Sequence, residues 1–253
     1  TDHILMESLT GSPTDLLGQL ATLLGYPVVT APSSTWLSAS LRAAEERDES
    51  IRVLAPGSAV SALGWSSRSI ASGLDDRGLL SVRQMDVTDV TVRDDDQVAY
   101  VDRTTPTPTA LLGGRSGTTE IWQTGKPVSW DTAPLPAVVD ACRSEFGPEA
   151  AETLRTGASV SVRTSSDDPV VLLVWSAARS ESLVDSVRGV AEELGIASAR
   201  TVNRRVRTME EENLIDRERD PNATDRRGSP PLRLSTAIDP NDGRIPRVLL
   251  DLF

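Results

Sequence analysis

Apolar positions recur with helical spacing between residues 183 and 234, where two helices separated by a short turn are predicted. The first helix ends at Gly195, a residue type that is favoured just beyond a helix C-terminus. The second helix is predicted over residues 198–213, with Ser198 as its N-cap. The apolar positions of the first helix are Val184, Val187, Val190, Ala191 and Leu194.

The second helix has two unlike faces. Arg200, Arg204 and Arg207 follow each other at i, i+4 and i+7, so their side chains lie on one face. We therefore expect one face to pack in the domain and the other to present guanidinium groups to a partner. The apolar face, nearly opposite, consists of Val202, Val206 and Met209.

A two-stranded hairpin is predicted over residues 214–234. Glycine and proline mark its tip, which holds Arg226 and Arg227, and Arg233 lies in the returning strand. Helix, turn, helix and hairpin is the order of a winged helix-turn-helix domain. The second helix of such a domain can enter the DNA major groove, which is about 12 Å wide.

Charge supports this interpretation. Residues 196–234 hold nine arginines and seven acidic residues, a balance of +2, whereas the rest of the chain carries −13. A locally basic module on an acidic protein is typical of phosphate binding. The alternatives are that the arginines form only a solvated face, or that the winged helix contacts protein.

The segment resembles the C-terminal part of haloarchaeal transcriptional regulators of the TbsP type over roughly residues 169–236. The order of parts is also similar, with an α/β domain before the winged helix. The resemblance implies a DNA-binding transcriptional regulator with a sensor-like N-terminal domain. The residues that carry it are Gly195-Ile-Ala-Ser, Thr201, Arg204, Met209-Glu-Glu, Leu214-Ile-Asp, Arg227-Gly-Ser-Pro and Leu232-Arg-Leu.

The N-terminal half predicts an α/β domain over residues 26–130. Buried-type strands near residues 28, 51 and 79 alternate with helices over 36–47 and 59–77, which favours a parallel-type sheet with right-handed crossovers. A hairpin with an acidic, solvated tip is expected around residues 94–96. Residues 1–25 predict one helix whose apolar face comprises Leu16, Leu17, Leu20, Leu23 and Leu24.

The remaining segments complete the predicted domain organisation. Residues 131–165 predict connecting helices broken at Gly147, and residues 166–236 the winged domain, with Asp167 and Asp168 at a helix N-terminus. Residues 237–253 form a tail. Residues 104–119, rich in threonine, proline and glycine, predict a loop or a strand pair.

Composition indicates the environment in which the protein works. The net charge is −11, and Lys126 is the one lysine beside 25 arginines, which suits a halophilic protein from a high-salt cytoplasm. A GC-rich genome alone would also favour arginine, and an archaeal origin is what the resemblance implies. A single cysteine, Cys142, excludes an internal disulfide, and we expect a buried, inert thiol. No apolar run is long enough for a membrane span and no signal peptide is evident, so a cytoplasmic location is expected.

Catalytic chemistry is hard to build from this sequence. His3 is the one histidine, and the Gly113–Gly117 run lacks the Gly-Lys-Ser/Thr ending of a phosphate loop. We therefore predict no catalytic residue, no metal, no cofactor and no enzyme activity. Trp65, Trp122 and Trp130 are expected to pack in the core, with the lining of a cavity as the alternative.

The combined prediction is a sequence-specific transcriptional regulator that binds double-stranded DNA as a homodimer, away from any membrane. The N-terminal domain is expected to be sensor-like or to dimerise, and the resemblance implies that it modulates binding through a small-molecule effector or a partner. Two rivals are a winged-helix protein-interaction module and an α/β enzyme with an accessory winged helix. The predicted DNA-contacting residues are Ser198, Arg200, Thr201, Asn203, Arg204, Arg205, Arg207, Arg226, Arg227 and Arg233.

Overall fold

The structure is a computed structural model, which describes residues 8–25, 27–48, 50–104, 107–113, 118–164, 168–220 and 231–237. The chain divides into two compact units. The first comprises Thr1–Leu63 and Ile70–Trp130, and the second comprises Gly64–Ser69 and Asp131–Phe253. In the described part of the chain, no helix is both long and apolar enough to cross a membrane.

The first unit is built around an eight-stranded sheet. In chain order its elements, with α4 shared between the units, are β1 (Ser8–Thr10), α1 (Pro13–Leu24), β2 (Val28–Thr30), α2 (Ser34–Arg47), β3 (Ile51–Ala55), α3 (Gly57–Ser61), α4 (Trp65–Asp76), β4 (Leu80–Gln84), β5 (Thr91–Arg93), β6 (Val98–Asp102), β7 (Thr109–Gly113), α5 (Thr118–Thr124) and β8 (Lys126–Pro127). The strand order is β1-β7-β6-β5-β2-β3-β4-β8.

The sheet is mixed and mostly antiparallel, so the predicted parallel-type sheet is wrong as a description of the whole. The β2–β3 and β3–β4 pairs are parallel, as their intervening helices require. All other neighbouring strands pair antiparallel. Connection length accounts for the β5–β6 and β6–β7 pairs, because short turns can join only antiparallel strands.

Strand register separates the two faces of the sheet. Val92, Val29, Val53 and Val82 align across β5, β2, β3 and β4, and each is at most 3% exposed. The opposite face is more polar, as expected when the two faces of a sheet differ in their covering. It carries Thr30, Thr91, Arg52, Arg83 and Arg93.

Several local predictions for this unit need correction. The helix expected over residues 59–77 is two helices, α3 and α4, separated at Ala62–Gly64. Leu23, expected on the apolar face of α1, is 56% exposed. The acidic tip was predicted correctly, because Asp94 Oδ1 accepts hydrogen bonds from the backbone N–H groups of Asp96 and Gln97 in a tight turn.

The second unit is helical with a small sheet. The predicted break between the connecting helices at Gly147 is confirmed by its φ of 96°. Cys142 is fully buried, as expected. The elements are α6 (Leu135–Phe146), α7 (Pro148–Thr164), α8 (Pro169–Arg179), α9 (Val184–Glu193), α10 (Ala199–Glu211), β9 (Ile215–Arg219) and β10 (Leu232–Thr236).

The helix α8 lies at the centre of the second unit. Residues 170–178 are all buried, and α8 contacts α6, α7, α9, α10 and β10. Such a continuous apolar run can be helical only if neighbours surround it on every side. Because α10 and β10 both pack on α8, this buried helix positions the helix-turn-helix and the hairpin that follows it.

Candidate nucleic-acid interface

The turn between α9 and α10 is fixed by backbone geometry and by two side chains. Gly195 has a φ of 64°, and the N–H of Ile196 donates to the carbonyl of Ala191 at 2.8 Å, which closes α9. Ser198 caps α10 by accepting from the N–H of Thr201 at 3.4 Å. Glu192 adds a second cap, because its Oε1 accepts from the N–H of Ala199 at 2.9 Å.

The apolar face of α10 packs as predicted. Val202, Val206 and Met209 are 0%, 1% and 0% exposed. The helix contacts α8, α9 and β9. These contacts fix the rotation of α10 about its axis and therefore decide which of its side chains point outward.

The opposite face of α10, which we call the arginine face, consists of the exposed residues Arg200, Asn203, Arg204 and Arg207. Within the described residues, the side chains of the three arginines have no hydrogen-bond or ion-pair partner. Three uncompensated guanidinium groups on one helix make a strongly positive surface. Such a surface suits a polyanion, because binding releases counterions and pairs each charge with a phosphate or a base edge.

Arg205, by contrast, is engaged inside the domain. Its Nη2 lies 2.6 Å from Asp168 Oδ2, and the two side chains are only 26% and 15% exposed. Asp168 also caps α8, since its Oδ1 accepts from the N–H groups of Val170 at 2.9 Å and Val171 at 3.3 Å. One carboxylate thus closes the start of α8 and holds α10 against it.

The hairpin arginines are also paired. Arg217 donates to Glu210, which ties β9 to α10. Arg233 donates to Asp220 Oδ1 at 2.9 Å and lies 3.7 Å from Glu181 Oε2. Arg233, predicted as a DNA contact, therefore has its charge compensated within the hairpin. Arg226 and Arg227 of the predicted wing tip lie outside the described residues.

The strands of the predicted wing are present. Leu232–Thr236 of β10 pairs antiparallel with Ile215–Arg219 of β9, and Leu234 is fully buried beneath the pair. The N–H of Leu234 also donates to the carbonyl of Ser182, which fixes β10 at the start of α9. The hairpin is therefore attached to the helix-turn-helix at two elements.

Sequence reasoning missed Arg188 on α9. Its Nε donates to Asn203 Oδ1 at 2.9 Å and its Nη2 to the same oxygen at 2.5 Å, while Nη1 pairs with Asp185. The sequence does contain a signal that could have identified it. Asp185, Arg188 and Glu192 stand at i, i+3 and i+7 on α9 and so share a face. That face meets the first turns of α10.

Among its described residues, the first unit offers no comparable site. Trp122, expected in the core, is only half-buried. The guanidinium carbons of Arg83 and Arg52 lie 4.8 Å and 5.7 Å from its ring centre. Arg83 Nη1 also donates to the carbonyl of Trp122 at 3.2 Å, so it closes the end of α5. No group of three or more potential metal ligands occurs among the described residues.

Residues 134–249 match the family described as "Transcriptional regulator TbsP-like, C-terminal HTH domain". This match confirms the predicted C-terminal helix-turn-helix domain and its similarity to TbsP-like regulators. The family consists of DNA-binding rather than catalytic domains. The haloarchaeal origin stays a prediction. No curated protein matches the chain.

Two solved structures resemble parts of the chain. One is TrmBL2, an archaeal chromatin protein with a novel mode of DNA binding, at 12% identity and a TM-score of 0.33, over 50% of this chain and 54% of that one. This chain thus spans about half of TrmBL2. The other is the phospholipase D family member Nuc from Salmonella typhimurium, at 14% identity and a TM-score of 0.31, over 49% of this chain and 98% of that one. At these scores neither likeness bears on function.

Proposed function

We propose that this protein is a sequence-specific transcriptional regulator that binds double-stranded DNA through its C-terminal domain. The observation that carries the proposal is the arginine face of α10, which is exposed and uncompensated while the arginines beside it are paired inside the domain. A helix with one packed face and one cationic face, held after a short turn by a preceding helix, can lie in the major groove.

Roles follow from the geometry of α10. Arg200, Asn203 and Arg204 stand in its first two turns, which approach base edges when a recognition helix enters the groove by its N-terminus. Arg207 lies one turn further and suits the phosphate backbone. Ser198 and Thr201 share the cap, with 3.2 Å between their hydroxyl oxygens, and are placed for a phosphate at the helix start.

Arg205 and Arg233 take a different role from the one predicted. Because each is held by a carboxylate, we assign them to positioning α10 and the hairpin rather than to direct contact. Arg226 and Arg227, in the predicted wing tip, remain proposed phosphate contacts. In a homodimer, the two copies of α10 would meet half-sites about 34 Å apart, one helical turn of DNA.

The first unit is proposed to modulate DNA binding, as a sensor-like or dimerisation domain. Its support is that it forms a compact body with its own eight-stranded sheet, separate from the helix-turn-helix unit. A separate body of this kind can bind an effector or a second copy without rebuilding the DNA-binding surface.

A mobility-shift titration with sheared genomic duplex DNA tests the proposal. We compare the native chain with a variant in which Arg200, Arg204 and Arg207 are all alanine. The matched control removes three exposed, ion-paired arginines elsewhere, Arg77, Arg143 and Arg155, which changes the net charge equally.

The expected result is tight binding by the native and control chains and much weaker binding by the α10 variant, measurable only at low salt. If the native chain leaves DNA unshifted at low salt, the domain is not a DNA-binding module. Binding that is equally weak in both variants would show that overall charge, rather than the arginine face, governs the interaction.

A further inference from the structure

We infer that Arg188 sets the base preference of Asn203, so that Asn203 selects guanine rather than adenine; the inference rests on the proposed DNA binding by α10. Asparagine in a recognition helix ordinarily suits adenine, because its carbonyl accepts from N6 and its amide donates to N7. The structure places a different set of partners around Asn203.

The first step concerns the side-chain carbonyl. Arg188 directs two N–H groups, Nε and Nη2, at the single oxygen Oδ1 of Asn203, at 2.9 Å and 2.5 Å. An amide oxygen has two lone pairs, so these bonds use its accepting capacity. Oδ1 is therefore not available to accept from the N6 amino group of adenine.

The second step concerns the amide nitrogen. Asn203 is exposed, and Nδ2 has no partner within the described residues. Because Oδ1 faces Arg188 on α9, and the two terminal atoms of an amide diverge, Nδ2 points away from Arg188. Asn203 thus presents donors alone. In the major groove guanine offers two acceptors, N7 and O6, and no donor, which is the edge that fits.

The third step concerns the orientation of Arg188. Asp185 accepts from its Nη1, so three of its N–H groups are committed on α9 and α10. The Arg188 side chain is only one-third exposed. The guanidinium fork is rigid, and a lysine ammonium cannot direct two donors at one oxygen in the same plane. Arg188 is therefore a positioning residue, which acts on DNA through Asn203.

Two measurements test this inference. The full-length chain first selects sites from a random duplex library, and its affinity for the selected sites is then titrated. The variant Asn203→Ala first identifies the position at which Asn203 acts, because that position alone should lose its preference. We expect guanine there in the native motif. Arg188→Lys keeps the charge but removes the fork, and should lower the guanine-to-adenine preference at that position about tenfold.

A second variant keeps the test informative if Arg188→Lys folds poorly. Asn203→Asp is isosteric and retains the pair with Arg188, but its free oxygen accepts instead of donating. It should move the preference at the same position from guanine to cytosine, whose N4 amino group is a donor. The melting temperature and the preferences at all other positions should not change.

The outcomes separate this inference from the proposed function. A native motif with adenine at the Asn203 position, or a motif unchanged by both Arg188→Lys and Asn203→Asp, would overturn the inference while leaving DNA binding intact. Duplex binding without any enriched motif would also overturn it. If the native chain retains no duplex at all, the proposed function itself fails.

Discussion

Arg204 and Arg205 are adjacent in sequence, yet their surroundings differ completely. Arg204 is exposed on the arginine face, whereas Arg205 is largely buried against Asp168. Helical periodicity separates their directions by about 100° but cannot supply the partner, which comes from the start of α8. The sequence therefore predicted both as DNA contacts, and only the fold distinguishes a contacting arginine from a positioning one.

Arg204→Ala should weaken binding to the best DNA site by about 1–3 kcal/mol if Arg204 reads a base. The substitution removes an exposed charge without disturbing the packed face of α10, so the melting curve should not move. Fluorescence anisotropy at one fixed salt concentration measures the effect. Arg143→Ala, which removes an exposed arginine from α6, is the control and should bind like the native chain.

The two roles of Asp168 can be separated by substitution. Asp168→Asn keeps an oxygen that can cap α8 but removes the charge paired with Arg205. Asp168→Ala removes the cap as well, so it should cost about 1 kcal/mol more in the free energy of unfolding, the usual value of a helix cap. Chemical denaturation followed by circular dichroism compares them. Equal stabilities of the two variants would rule out a stabilising cap.

At the scale of elements, α10 is the best-predicted part of the molecule. Its N-cap, its packed face and its approximate end follow from local signals, namely Ser198, the apolar period and the glutamates before Asn213. The sequence pattern also predicted the parallel strands β2, β3 and β4. Strand β1 was not predicted, and β7 lies in residues 104–119, for which the sequence left a loop and a strand pair open. Such short strands are stabilised by their neighbours rather than by a pattern of their own.

Val206→Asp should unfold the helix-turn-helix. Val206 is 1% exposed, and burying an unpaired carboxylate there costs several kcal/mol. Arg207→Asp introduces the same side chain one residue later on the exposed face and serves as the control for stability. We expect a large fall in thermal stability for the first variant alone. Similar melting curves for both variants would mean that the rotation of α10 is misassigned.

Cys142 on α6 reports on the stability of the second unit. Burial raises the pKa of its thiol from an ordinary value of 9.0 to about 12, so the folded chain holds it protonated. The unfolded chain can ionise at lower pH, and stability is therefore lost as pH rises from about 9 towards 12.

At pH 8 iodoacetamide should alkylate Cys142 only as fast as the fold opens, because the reactive species is the thiolate. In denaturant the reaction should be complete and rapid. Mass spectrometry of the intact chain follows it with a single modifiable site, since Cys142 is the one cysteine. Rapid alkylation of the native chain would contradict the buried position.

At the scale of the whole molecule, charge is distributed unevenly. A chain with a net charge of −11 carries an uncompensated arginine face on one helix. The acidic remainder repels DNA, so attraction must be local and should depend steeply on salt. Composition predicted that a basic C-terminal segment stands on an otherwise acidic chain. It did not predict which arginines are neutralised by carboxylates within the fold.

The salt dependence of DNA binding tests the central claim most directly. The slope of log Kobs against log salt counts the counterions released, at about 0.9 for each phosphate contact. Replacing Arg200, Arg204 and Arg207 by alanine should flatten that slope by about 1 to 3 units, while the Arg77, Arg143 and Arg155 triple variant should keep the native slope. Equal slopes for the native chain and the α10 variant would contradict the account.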